Sequence, residues 1–238
     1  MNAYPGILIV FDGIDGAGKT TQINKIADAL RAVGEDVLIS KEPTDGQWGQ
    51  KLRASALSGR MTADEELETF ILDRQDHLTN KIIPALEDGK IVFLDRYFYS
   101  TIAYQGLRSS DYRSIEAIIR KDTVIPDAAI LVDTDPYLAI SRIRLRDGKE
   151  NHFEKLEDLI QIREIFLSLA QDDDLLHVIN GSQDIDSIYK DVKSYIIEGA
   201  LKAKRCFKSY GCDEPLYCGP RITGNCSWWN IVSAINKA

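Results

Sequence analysis

The apolar positions of this chain switch period repeatedly. Ile7 to Phe11 is an unbroken apolar run, the pattern of a central strand buried on both faces. Over residues 19 to 33, Ile23, Ile26, Ala27 and Leu30 recur at helical spacing, and Gly34 closes that helix. Val37 to Ser40 predicts a second strand. Helices are predicted over 48 to 58 and over 63 to 87, the latter opened by Thr62 as N-cap. Ile91 to Leu94 is the next buried strand. The stretch from Asp95 to Gly106 becomes helical at Tyr99, and another helix covers about 111 to 121. Ala128 to Val132 predicts a fourth strand, followed by a helix through about residue 145 and a charged turn at 147 to 151. A helix over 153 to 171, a fifth strand over Leu175 to Ile179 and a helix over 184 to 203 complete the body. Strand and helix alternate throughout. That predicts an α/β fold with a five-stranded, mainly parallel sheet flanked by helices.

Composition narrows the function classes. A length of 238 residues suits one substantial domain better than two. The net charge of −8 argues against general nucleic-acid binding, which needs Lys and Arg to displace counterions from phosphates. No segment approaches the ~20 apolar residues of a membrane span. The apolar start has no basic region before it and leads into Asp12, so it reads as a strand and not as a signal peptide. The expected compartment is the cytoplasm. The pattern changes after Lys204, and all four cysteines lie beyond it, at Cys206, Cys212, Cys218 and Cys226. Residues 1–204 are therefore read as the domain and 205–238 as a Cys/Trp-containing extension.

The chemistry begins at Gly13-Ile14-Asp15-Gly16-Ala17-Gly18-Lys19-Thr20, which matches G-x-x-x-x-G-K-[ST] between a predicted strand and a predicted helix. Glycines let successive N–H groups cradle a phosphate, and the helix N-terminus adds partial positive charge. Lys19 is placed to reach the β- and γ-phosphates, and the Thr20 hydroxyl to ligate Mg²⁺. Residues Gly13 to Thr21 are thus the candidate ATP site, on a P-loop NTPase fold. The loop alone does not separate a kinase from an NTPase or a switch.

Asp95-Arg96-Tyr97 follows the third strand, at the sheet end where ligands bind in open α/β folds. Asp95 there can hold Mg²⁺, and Arg96 can grip an acceptor phosphate in a fork. The alternative is a strand-end salt bridge. Phe70 and Arg74 share a helix face, a pairing that suits stacking on a base and donation to its carbonyl, or merely a core Phe beside a solvated Arg. Arg142, Arg144 and Arg146 cluster before the polar turn; 142 and 146 share a face. They could neutralise charge on a transferred phosphoryl group, or simply end a helix favourably.

Together these segments resemble the thymidylate kinase family, a nucleoside monophosphate kinase-like group. The likeness rests on Phe11 to Gln22, Phe70-Ile71-Leu72-Asp73-Arg74, Asp95-Arg96-Tyr97-Phe98-Tyr99-Ser100-Thr101-Ile102-Ala103-Tyr104-Gln105, and the Arg142 to Arg146 cluster. It spans residues 5 to about 200. The resemblance implies phosphorylation of dTMP to dTDP with MgATP, a homodimer, and roles at matching positions. Asp15 would contact the deoxyribose 3′-hydroxyl, and Arg74 and Arg96 would position the acceptor phosphate and base. Phe70 would stack on thymine, with Ser100 in the acceptor site and Thr101 on the pyrimidine edge. Tyr104 would stand where a 2′-hydroxyl would clash, and Arg53 would be a further phosphate contact. Gly16 in the loop with Arg142 and Arg146 in the lid is the bacterial-type arrangement. Lys19, Asp15, Arg96, Arg142 and Arg146 are the implied catalytic set.

Such chemistry needs no general base, because the nucleophile is already an anionic phosphate oxygen. His77, His152 and His177 are accordingly read as surface or packing residues. Glu42-Pro43-Thr44-Asp45-Gly46 departs from the family's Glu-Pro-Gly-Gly-Thr, and the extension has no family counterpart. Its cysteine spacings contain no C-x₂-C pair, so packing thiols are favoured over zinc or disulfides. Two other functions remain open at this stage. One is a related kinase with another pyrimidine deoxynucleotide or deoxynucleoside acceptor. The other is a catalytically silent nucleotide-binding regulator, against which the intact Lys19, Thr20, Asp95 and lid arginines argue.

Overall fold

The computed structural model describes residues 3–109, 111–147 and 156–201. The extension 205–238, its cysteines and His152 lie outside the described residues. Five strands form one sheet: β1 (Ile7–Asp12), β2 (Val37–Lys41), β3 (Ile91–Asp95), β4 (Ala128–Asp133) and β5 (Leu176–Asn180). Their order is β2-β3-β1-β4-β5, and every pairing is parallel. The sheet is therefore wholly parallel. Its central strands carry continuous apolar runs because both faces are covered. Residues Leu8 to Phe11 have no solvent exposure, and Phe11 meets Phe93 edge to face at 6.0 Å.

The helices are α1 (Lys19–Ala32), α2 (Gln47–Ser58), α3 (Ala63–His77), α4 (Ile83–Glu87), α5 (Phe98–Ser109), α6 (Tyr112–Ile119), α7 (Pro136–Asp147), α8 (Leu156–Asp172) and α9 (Ile185–Ser194). They flank the sheet, with α1 against α9, and α5 against α3, α6 and α8. Two predicted helices are interrupted. The helix expected over 63 to 87 widens into a π turn at Leu78–Ile82 before continuing as α4. Pro84 is the physical reason: it cannot donate to the Asn80 carbonyl, and its ring crowds that turn. The last helix likewise ends in a π segment at Tyr195–Leu201. The Thr62 prediction holds as a full capping box: Thr62 Oγ1 accepts from the Glu65 N–H at 3.3 Å and Glu65 returns a bond to the Thr62 N–H at 3.0 Å. A cap of this kind stabilises by about 1 kcal/mol.

Topology positions the site. β1 lies between β3 and β4, so the chain crosses from one side of β1 to the other on passing from β3 to β4. The carboxyl ends of β1 and β3 are in register, with Phe11 beside Asp95. The loops leaving both strands meet at this switch point.

Candidate active site

The loop after β1 is shaped by backbone demands. Gly13, Gly16 and Gly18 have φ of 139°, 77° and 96°, a region that L side chains rarely occupy. At Gly16 space is also lacking: a Cβ would come within 2.4 Å of the Ala139 carbonyl oxygen on α7. Ile14 and Ala17 carry their side chains into the core, so only their backbone could serve a phosphate. The Thr134 hydroxyl donates to the Ala17 carbonyl at 3.3 Å, tying the loop to the end of β4.

Lys19 is buried, and its ammonium donates to the carbonyls of Gly13 and Ile14 at 3.1 and 3.0 Å. Burial, with the nearby Arg96 guanidinium, pushes its pKa down to about 8. The Thr20 hydroxyl donates to an Asp95 oxygen. These are two hard oxygen ligands side by side, a chemistry that suits Mg²⁺. Among the described residues no group of three or more His, Cys, Asp or Glu gathers as a metal cage. A cavity of about 550 Å³ opens above the loop, lined among others by Asp15, Gly16, Lys19, Thr20, Thr21, Asp95 and Arg96. Arg142 and Arg146 also line it, one helical turn apart on α7. Arg144 does not, as the helical spacing requires. Arg142 is anchored by a 3.0 Å bond from its Nη1 to the Gly181 carbonyl.

The lowered Lys19 pKa has a measurable consequence. A polyphosphate stabilises the charged ammonium, so binding takes up protons where the free group is partly neutral. At pH 8 about half a proton per triphosphate bound is expected, and affinity should fall as pH rises further. Calorimetric titration in two buffers of different ionisation enthalpy checks this; no uptake at pH 8 would contradict it.

The side predicted to bind the acceptor is built on β3 and α5. Arg96 sits at φ 71°, in the left-handed region, a strain of about 1 kcal/mol for a non-glycine residue. Its N–H donates to the Phe11 carbonyl at 2.8 Å. The guanidinium donates to the Gly13 carbonyl and the Ser100 hydroxyl, each at 3.2 Å, and to Asp15 at 2.6 Å. It also reaches the Tyr104 hydroxyl at 3.3 Å, while that hydroxyl donates to the other Asp15 oxygen at 2.9 Å. Burial opposes ionisation of Asp15, yet Arg96 and Lys19 outweigh it and hold the carboxyl at about 2. Asp12 supports the whole turn. One of its oxygens accepts from the Tyr97 N–H at 3.3 Å and the Ser100 N–H at 3.0 Å, capping α5 from a different element.

A second cavity, of about 380 Å³, adjoins the first, and Asp15, Glu42 and Arg96 line both. It is also lined by the predicted acceptor residues Arg53, Phe70, Ser100, Thr101 and Tyr104. Arg53 is held to the loop after β2 by bonds to the Pro43 and Thr44 carbonyls at 3.2 and 2.5 Å. Arg74 does not form this wall. It stands behind it, 3 % exposed, and donates through Nε and Nη2 to one Glu42 oxygen at 2.9 and 2.7 Å. Nη2 also donates to the Thr101 hydroxyl at 2.7 Å. The solvated Arg that the isolated pair allowed is thus excluded.

Several side chains around the cavity were given no role from sequence. Glu42 is buried, and Gln105 is 2 % exposed in the cavity wall. Glu66 gathers Arg60, Gln105 and Arg108 at the far end of the cavity. Gln105 and Arg108 lie three apart on α5, but Glu66 comes from α3, so no spacing rule brings the two sides together. His77 is buried and hydrogen-bonded, whereas His177 stacks on Tyr195 at 4.1 Å. No helix among the described residues is long and apolar enough to cross a membrane.

Comparison with known proteins agrees with this geometry. The family model described as thymidylate kinase matches residues 11–192. A protein named thymidylate kinase from Xanthomonas oryzae pv. oryzae (strain PXO99A) is 43% identical over 195 residues, covering 81% of this chain and 83% of its own. A namesake from Xanthomonas euvesicatoria pv. vesicatoria (strain 85-10) is 42% identical over 196 residues, 81% and 84% respectively. Another, from Xylella fastidiosa (strain M23), is 42% identical over 166 residues, 69% and 75%. The matched region contains the loop, the Asp-Arg-Tyr turn and the α7 arginines, and the chain belongs to the thymidylate kinase family.

Proposed function

We propose that this protein phosphorylates dTMP to dTDP with ATP as donor. The reading is supported by two unpaired polar atoms, one in the wall of the acceptor cavity and one just behind that wall. Gln105 donates through Nε2 to Glu66 at 3.1 Å, and among the described residues its buried Oε1 has no partner. Arg74 likewise has a buried Nη1 without a partner among the described residues, and its neighbours Glu42, Tyr97 and Thr101 all line the cavity. Each such atom left unpaired costs about 1–3 kcal/mol. Thymine offers a carbonyl beside an N–H, the complement of one free donor and one free acceptor. Cytosine presents the reverse at both positions.

The reaction then needs little beyond placement. Phe70 stacks on the base, and Arg53 and Arg96 hold the acceptor phosphate. Asp15, ionised at neutral pH, receives the 3′-hydroxyl, with Tyr104 against the sugar. The phosphate loop holds ATP. Lys19, Arg142 and Arg146 spread the charge that develops on the transferred phosphoryl group. Thr20 and Asp95 would hold Mg²⁺, which neutralises phosphate charge when bound. No side chain has to remove a proton.

A coupled assay of ADP formation over a panel of nucleoside monophosphates tests the reading. The expected kcat/KM for dTMP exceeds that for dCMP by at least about 10²-fold. Gln105→Leu is expected to remove most of that preference. Turnover of dCMP within tenfold of dTMP, or none with any monophosphate, would overturn the proposal.

A further inference from the structure

Behind the acceptor cavity runs a hydrogen-bonded chain that the phosphoryl-transfer chemistry does not use. Ser40 on β2 meets His77 Nε2 at 2.8 Å. His77 Nδ1 meets Glu42 Oε1 at 3.2 Å. Glu42 Oε2 takes both donors of Arg74. His77, Glu42 and Arg74 are 4 %, 6 % and 3 % exposed. With the ring proton on Nδ1, both ring nitrogens are matched: the Ser40 hydroxyl donates to Nε2, and Nδ1–H donates to Glu42.

We infer that His77 is a positioning residue for acceptor recognition: its Nδ1–H fixes the Glu42 carboxylate, and through it the Arg74 guanidinium. The inference rests on the reading above, in which Arg74 and Gln105 read the base edge. Its logic is geometric. Arg74 uses a single oxygen of Glu42, so the tilt of the carboxylate plane sets how the guanidinium is held. Among the described residues, His77 supplies the one hydrogen bond to Oε1. Without it, Oε1 is a buried charged oxygen that lacks a partner among the described residues, and the carboxylate plane is free to turn about the last torsion of Glu42, which tilts Oε2 out of line with the Arg74 fork. Arg74 Nη1 then loses its fixed direction. Arg74 and His77 lie three apart on α3, so the helix carries both ends of the device to one loop. A core histidine retained only for packing would need no donor at this one nitrogen.

Amide replacements separate the two roles, because asparagine places its N–H near the Nδ1 position and glutamine near Nε2. His77→Gln is expected to raise the KM for dTMP about tenfold, with kcat lowered less than about threefold and the KM for ATP unchanged. It should narrow the dTMP over dCMP preference about tenfold. His77→Asn should stay within about threefold of the parent on every count. Equal damage in both variants, or a parent-like KM and preference in His77→Gln, would overturn the inference. Thermal melts report whether each variant folds. If the His77 variants do not fold, Ser40→Ala decides: it removes only the hydroxyl that orients the ring, and a smaller change in the same direction is expected. No change would overturn the inference. Arg74→Lys and Gln105→Leu, measured alongside, isolate the underlying reading. Should they keep the base preference, that reading fails; should they abolish it while His77→Gln does not, only the role of His77 fails.

Discussion

Replacing Lys19 by methionine is expected to lower kcat by about 10³-fold or more, the largest loss of any single substitution at this site. The side chains have similar length, so the buried volume is conserved and the fold should persist. What disappears is the one ammonium that the loop encloses. In the structure it rests on the Gly13 and Ile14 carbonyls, neutral acceptors worth far less to it than phosphate oxygens. Its burial lets the charge act through a low effective dielectric once a polyphosphate replaces those partners. Single-turnover measurement of ADP and product formation is the check. A rate within tenfold of the parent would show that Lys19 does not carry the transferred charge.

Arg96→Ala is expected to lower kcat/KM for dTMP by about 10²- to 10³-fold while the affinity for ATP changes less than about threefold. The asymmetry follows from the contacts. Arg96 is the counterion of Asp15 and braces Tyr104, both acceptor-side groups, whereas its bond to the Gly13 carbonyl is shared with Lys19. Its removal withdraws the main charge opposing burial of Asp15, so the Asp15 carboxyl should rise from about 2. Backbone strain is not relieved, because alanine at φ 71° is as hindered as arginine. Arg96→Gly should therefore be about 1 kcal/mol more stable than Arg96→Ala with the same kinetic defect. Equal loss of ATP and dTMP binding would contradict the assigned role.

The parts legible in sequence were those governed by local rules. The strands were legible as apolar runs and the α1 helix as a 3.6-residue period. The phosphate loop was legible because one contiguous backbone segment performs its task, and positive φ leaves glycine as nearly the only choice. Arg142 and Arg146 were legible as a pair because helical geometry alone puts them on one face. The Thr62 capping box is equally local. The π turn at Leu78–Ile82 is only partly so: Pro84 announces a disturbance, but whether the helix stops or widens depends on what packs around it.

The acceptor pocket has a different origin. Sequence alone determined that a triphosphate loop, an Asp-Arg-Tyr turn and a cluster of α7 arginines occur in an alternating α/β chain. The resemblance supplied the roles of Phe70, Thr101 and Tyr104. Only the tertiary structure decided that Asp12 caps α5 from the neighbouring strand β1 and that Arg74 is buried behind the cavity. Tertiary structure also decided that Glu42 links Arg74 to His77 and that Gln105 presents a free carbonyl. These groups come from β1, the loop after β2, α3 and α5, and they meet because the parallel sheet brings those segments to one edge. Burial then turns each unmatched donor or acceptor into a requirement on the ligand. That requirement is a property of the assembled core, since in the unfolded chain water satisfies the same atoms at no cost.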